Sequence, residues 1–204
     1  ARYGFLVEFV EAWSGKGSDT FETVEKAFAL ADIHNFPQVN YDADGLGAGV
    51  RGDARILNAQ RKKNRLKSVT FSPFRGSGAV IKPTGNPFIW DNENREPGEK
   101  GRTNQDFFKN AKAQGWWNLR RRFKETYRAV IEKKDYNPEY IISLSSDITN
   151  LHKLLIELNQ PTYHQDQNGK ILVDKTPDGG KSPDRADSVM IAFADTKKHS
   201  GFFS

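Results

Sequence analysis

The chain has 204 residues, 31 Lys and Arg against 26 Asp and Glu, a net charge of +5 and no cysteine. That length suits one domain with a sizeable core, and the lack of cysteine excludes disulfides and thiolate metal sites, which favours magnesium or manganese over structural zinc for any metal. No apolar run is long enough to cross a bilayer and the start has none of the layout of a signal peptide, so a soluble intracellular protein is expected.

In chain order, residues 3–13 alternate as a strand, with Phe5, Val7 and Phe9 on one face and Glu8 on the other. Gly15-Lys16-Gly17 ends it. Asp19 stands three residues before Glu22, a capping-box spacing, and Phe21, Val24, Phe28 and Ala31 recur at helical intervals to about His34. Pro37 closes that helix and opens a short strand to Asp42. Three glycines follow, Gly45, Gly47 and Gly49, and then an amphipathic helix on Val50, Ala54 and Leu57 ending near Lys63. Val69-Thr70-Phe71 reads as a strand. The alternation of strands and helices argues for an α/β layer.

Residues 72–103 are rich in Gly, Pro, Asn and charge and read as a long functional or mobile loop within a single domain spanning 1–204. Asn104 to Lys134 carries a helical pattern, which Gly115 would kink or divide. Tyr140 to Leu144 reads as a strand, and Leu151, Leu154, Leu155 and Leu158 mark a helix. An Asn168-Gly169 turn between Tyr163 and Ile171-Leu172-Val173 predicts a hairpin, because both turn residues tolerate positive φ. In the last helix Ser182 would cap, Pro183 would take the first position, and Val189, Met190, Ala192 and Phe193 would face the core.

Asp42 ends a strand just before glycines, the way α/β folds place charge in a crevice. Asp184 and Asp187 lie three apart in a first helical turn, so their carboxylates share a side, although acids are favoured there by the helix dipole alone. Asp44 before Gly45 reads as a turn. Carboxylates gathered from distant segments repel unless divalent cations neutralise them, and two magnesium ions about 4 Å apart would activate water and stabilise the leaving oxygen in phosphodiester cleavage. The basic residues fall in two clusters, one holding Arg61, Lys62 and Lys63, the other Arg120, Arg121 and Arg122, which suit a polyphosphate backbone or two solvated helix faces. Gly15-Lys16-Gly17-Ser18 lacks phosphate-loop spacing, and Gly45-Leu46-Gly47-Ala48-Gly49 misses the dinucleotide pattern, since Val50 stands where its third glycine should be. The four histidines have no ligand spacing, and the Trp116-Trp117 pair reads as core rather than as a base-stacking platform.

Four segments, Tyr41-Asp42-Ala43-Asp44-Gly45-Leu46-Gly47-Ala48-Gly49-Val50, Ala113-Gln114-Gly115-Trp116-Trp117-Asn118-Leu119-Arg120, Asn168-Gly169-Lys170-Ile171 and Lys181-Ser182-Pro183-Asp184-Arg185-Ala186-Asp187-Ser188, resemble the C-terminal nuclease domain of the terminase large subunit of tailed bacteriophages, especially headful-packaging ones. The match runs in order over nearly the whole chain, and the first and last segments are the more specific. The resemblance implies a ribonuclease-H-like α/β fold, a central mixed sheet flanked by helices with an added β-hairpin near the active-site groove. It implies an endonuclease that binds two Mg2+ or Mn2+ ions and cuts concatemeric double-stranded DNA at the start and end of packaging, in the cytoplasm of the infected host. Asp42, Asp184 and Asp187 match metal-binding positions, and Lys170 and Lys175 belong to a hairpin that would touch DNA or gate access. A further metal-binding aspartate is implied on a first strand preceding Ala1, for which Glu8 and Glu11 are poor substitutes. The implied partners are the terminase small subunit, the portal protein and an ATPase domain upstream. A DNA-binding and docking module without cleavage, and a ribonuclease-H-like resolvase or integrase, are the competing readings.

Overall fold

The computed structural model describes residues 2–10, 20–44, 47–85 and 101–194, and these fall into two compact units. One begins with residues 2–10 and resumes at Ser77; the other runs from Thr20 to Gly76. The predicted Asp19 capping box, residues 11–18, Gly45, Leu46, His199 and residues 86–100 of the predicted loop lie outside the described residues.

The second unit is a βαβ arrangement with a helix ahead of it. Helix α1 spans Thr20–Ile33, strand β3 Gln38–Asp42, helix α2 Gly47–Lys63 and strand β4 Thr70–Phe74. β3 and β4 are parallel, with Gln38 opposite Thr70 and Asp42 opposite Phe74; a parallel pair requires a crossover, which α2 supplies. Val24, Phe28 and Ala31 of α1 pack with Ala54 of α2 and with Val69, and Phe28 stacks on Phe71 at 4.9 Å. Arg61 also ties α2 to α1, through both oxygens of Asp32 at 2.8 and 2.6 Å. Asp32 is half-exposed, so that pair adds at most about 1 kcal/mol. Each large apolar side chain adds about 1.5–3 kcal/mol, so the core, not the ion pair, holds the helices together. Asn58 fixes the entry to β4, donating to the Val69 carbonyl at 2.9 Å and accepting from its amide at 3.0 Å.

In the first unit, the strand expected over 3–13 is instead two short strands, β1 (Arg2–Tyr3) and β2 (Leu6–Val7), paired antiparallel. Gly4 separates them at φ +56°, a conformation that breaks an extended run. β2 pairs in parallel with β5 (Ser143–Leu144), so the strand expected over 140–144 shrinks to two residues after a 3-10 turn at Pro138–Tyr140. The long helix is divided, but not at Gly115. Helix α3 covers Asn104–Phe107 and helix α4 Ala111–Val130; the break falls where Phe108 pairs with Ile171 and Asn110 caps α4, accepting the Ala113 amide at 2.9 Å. Helix α5 (Leu151–Asn159), strands β6 (Thr162–Gln165) and β7 (Ile171–Asp174) and helix α6 (Asp184–Phe193) complete the unit. Among the described residues the strands form three small sheets, β1-β2-β5, β3-β4 and β6-β7, where the resemblance implied one central sheet.

Buried Asn104 and Gln114 hold the chain at 81–82. Gln114 accepts the Ile81 amide at 2.7 Å and donates to its carbonyl at 2.9 Å, while Asn104 donates to the Lys82 carbonyl at 2.9 Å. Trp116 and Trp117 are buried as predicted. Arg121 is fully buried too, its guanidinium 6.0 Å from the rings of both Phe107 and Trp117. Burial pushes its pKa down to about 9, against a smaller upward pull from Glu125. Because replacing a buried charge with an apolar side chain of similar length is often neutral or stabilising by about 1–4 kcal/mol, Arg121→Met is expected to melt at or above the wild-type temperature. A loss of more than about 2 kcal/mol in urea unfolding would show instead that the cation itself holds the core.

Candidate metal and nucleic-acid site

The first turn of α6 is assembled from outside the helix. Four backbone amides at a helix start have no partner within the helix. Here Asp184 donates to the Ser182 carbonyl at 3.0 Å and Asp187 to the Pro183 carbonyl at 2.7 Å. The other two, Arg185 and Ala186, donate at 2.7 and 3.1 Å to one carboxylate oxygen of Glu157, a buried residue of α5. The other oxygen of Glu157 receives the Arg185 guanidinium at 3.3 Å. So Ser182 does not cap by its side chain, and Pro183 occupies the cap position rather than the first helical one. All four amides are satisfied without either aspartate. Capping demand therefore does not account for Asp184 and Asp187, although the helix dipole still favours acids in this turn.

Asp184 is exposed and Asp187 half-buried. Asp187 is ion-paired with Lys175, just beyond β7. The residue that follows α5 positions that lysine: the Gln160 side-chain amide donates to the carbonyls of Lys175 at 2.6 Å and Lys181 at 2.7 Å, spanning both approaches to α6. A cation thus already sits on Asp187, and the donors on offer are hard carboxylate oxygens, which fit magnesium or manganese. Among the described residues no group of three His, Asp or Glu side chains is close enough to hold an ion.

Asp42 belongs to the other unit. It is the exposed last residue of β3, and one of its oxygens accepts the Asp44 amide at 2.9 Å, so Asp44 is a turn residue as read from the sequence. Glu8, just after β2, has one buried carboxylate oxygen that accepts no hydrogen bond; Glu11 lies outside the described residues.

The predicted hairpin is present, pairing Thr162 with Asp174 through Gln165 with Ile171. Its turn is not the two-residue Asn-Gly type, since only Gly169 has positive φ, at +69°. Asp166 organises it, accepting the amides of Asn168 and Lys170 at 2.9 Å, and these bonds, that from Lys170 foremost, hold its carboxyl below the usual range. The turn is also fastened from outside. Arg102 donates to the Gly169 carbonyl at 2.9 Å, and Lys109 reaches Asp166 at 3.4 Å. Such a turn suits a fixed wall better than a gate.

The basic residues do not act as two continuous patches. Successive helix positions lie about 100° apart. Arg120 is exposed, over the rings of Trp117 at 5.0 Å and half-exposed Tyr163 at 5.8 Å. Arg121 is interior, and Arg122 donates to the carbonyls of Glu139 and Ile141 beside the Phe193 ring. Arg61 is occupied by Asp32, the Lys67 carbonyl and the Phe28 ring. Lys62 and Lys63 are exposed in the last turn of α2, and Lys170 is half-buried. Of the basic residues expected to meet DNA, Arg61, Arg121 and Arg122 are engaged by packing, ion-pair and carbonyl contacts.

Glu157, Gln160 and Arg185 were not singled out from the sequence. The signal was there for Glu157, which lies three residues after buried Leu154 and so shares its helix face.

No protein-family model and no curated protein matches the chain. Solved structures do. The nuclease domain of the large terminase subunit gp2 of bacterial virus Sf6 matches with a TM-score of 0.75 and 28% identity, over 94% of this chain and 79% of that one. A lysine-to-alanine mutant of that nuclease domain with manganese and beta-thujaplicinol matches with a TM-score of 0.74, and a lysine-to-alanine mutant with calcium with 0.73, each at 28% identity over the same shares of both chains. Over nearly its whole length, in fold and in sequence, the chain is similar to the ribonuclease-H-like nuclease domain of a phage large terminase subunit.

Proposed function

We propose that this chain is the divalent-metal-dependent endonuclease domain of a viral DNA-packaging terminase large subunit, cutting concatemeric double-stranded DNA when packaging begins and ends. The observation that carries this reading is the α6 turn: two aspartates that the helix does not need for capping, one already carrying an ammonium group. The structural likeness to terminase nuclease domains, one with manganese and one with calcium, supports it. Asp42, Asp184 and Asp187 would hold Mg2+ or Mn2+, up to two ions, which when bound supply a water nucleophile and charge stabilisation at phosphorus.

The chain's own residues do the rest. Lys62, Lys63, Arg120 and Lys170 attract the phosphate backbone without reading sequence, and Lys175 balances Asp187 until a metal ion takes its place. The small subunit, portal protein and an upstream ATPase domain are the partners this reading assigns, with the cytoplasm of the infected host as the place of action. Among the described residues no helix is long and apolar enough to cross a membrane.

Removing a metal ligand forfeits several kcal/mol of charge stabilisation. Plasmid nicking in Mn2+ should accordingly fall at least about a hundredfold in Asp42→Asn and in Asp184→Asn; nicking at the wild-type rate by both would sink the assignment. Lys175→Ala removes a competing cation worth about 0.2–1 kcal/mol, so a Mn2+ titration followed by EPR should show affinity tighter by up to about fivefold, and weaker binding would contradict the exchange. Charge reversal at Lys62 and Lys63 together should weaken duplex binding and flatten its logarithmic salt dependence by about 0.9 per lost contact. An unchanged slope would place DNA elsewhere.

A further inference from the structure

We infer that Arg120 and Tyr163 form a stacking site for one unpaired base, the cavity beside them receiving the base and Arg120 its neighbouring phosphate. The inference rests on the reading of the chain as a DNA-cleaving domain and adds to it a contact with a base rather than with the backbone alone.

Trp116 and Trp117 are buried and serve as walls; the ring that reaches solvent is Tyr163 on β6, 52% exposed. Its orientation is set from beneath. The Trp117 ring meets it edge-on at 4.9 Å and 85°, and Trp117 is held in turn by Phe107 at 5.7 Å. A ring fixed in this way loses little freedom when a ligand stacks on it. The Arg120 guanidinium lies 5.0 Å from the Trp117 ring and 5.8 Å from the Tyr163 ring, and it pairs with no carboxylate among the described residues. Its donors are therefore open to a phosphate.

Between α4, α5 and the hairpin, these two residues border a cavity of about 370 Å³ whose other walls include Leu155, Leu158, Pro161 and Val173. Among the described residues no acidic side chain lines it. An apolar space with an aromatic face and a single cation matches a base joined to its phosphate: the ring stacks, the walls exclude water and the cation meets the anion. Drawing a paired base out of a duplex costs a few kcal/mol, whereas stacking on an aromatic side chain returns about 1–3 kcal/mol. The site therefore takes bases that are already unpaired, such as those at a frayed or newly cut end.

The test compares two labelled strands by fluorescence anisotropy on the full 204-residue chain, without metal so that nothing is cut. One is a short oligothymidylate; the other has the same length and charge but abasic tetrahydrofuran in place of every nucleoside. The wild type should bind the thymidine strand about five- to a hundredfold more tightly. Tyr163→Ala should lose at least about fivefold on the thymidine strand and stay within about twofold on the abasic one, while Tyr163→Phe, which keeps the ring, should bind both as the wild type does. Arg120→Ala should weaken both strands and flatten their logarithmic salt dependence by about 0.7. The inference is overturned if the wild type binds the two strands equally, which would leave the cavity to an apolar side chain of a protein partner, if Y163A loses as much on the abasic strand, or if Y163F falls as far as Y163A. Should Y163A fail to fold, Y163L, which fills the same place without a π face, is compared under the same criteria. Binding of duplex DNA separates the two layers: a wild-type chain that binds duplex but shows no preference for thymidine removes only the stacking site, whereas one that binds neither duplex nor single strand removes the DNA reading as well.

Discussion

One buried carboxylate sets the geometry of the α6 turn. Glu157 is almost wholly out of solvent, and an ionised side chain there is tolerable only if its oxygens find donors. It finds three, two amides and a guanidinium, all from the first residues of α6. The same demand that makes a buried acid costly makes its partners hard to displace, so α5 cannot shift relative to the start of α6 without leaving charge unsatisfied. Gln160, one turn further along, extends this hold to the chain on either side of the helix, through Lys175 and Lys181. The α5 helix and the residue that caps its end thereby hold both the turn that carries the acids and the lysine that balances one of them.

Charge in this chain is a poor guide to surface. Three consecutive arginines on α4 meet three environments, because a helix turns each residue away from the last: one lies exposed over the rings of Trp117 and Tyr163, one is packed inside, and one is spent on carbonyl groups. Arg61 and its neighbours Lys62 and Lys63 divide in the same way, the arginine joining two helices and the lysines facing solvent. A cationic run on a helix therefore contributes only some of its members to any one face, and the rest must be accounted for by the fold.

Where periodicity carried the signal, the sequence reading and the structure agree. The strand ending at Asp42, the helix on Ala54 and Leu57, the hairpin and the last helix all appear within a few residues of their predicted places. Disagreement gathers where long-range contacts decide. The break before Asn110 is set by Phe108 pairing with Ile171, more than sixty residues on, whereas Gly115 stays helical because it is buried against neighbours that exclude solvent. The two-residue strands β1, β2 and β5 are too short to leave a pattern. Asp42, Asp184 and Asp187 stood out by type and spacing; Glu157 was hidden because its helix was read for leucines, and a cap donated by another helix has no local signature.

The two units differ in how they are threaded. Among the described residues, the one built on α1, β3, α2 and β4 is a continuous stretch of chain, so its contacts close short loops and can form as soon as residue 76 or so has been made. The other joins β2 to β5 across more than a hundred residues and draws its last helix from the far end. Its sheet is thus a late event in folding, and the aspartates of α6 come into place only after nearly the whole chain exists. An incomplete chain would carry the strand tip bearing Asp42 before the α6 turn and its aspartates exist.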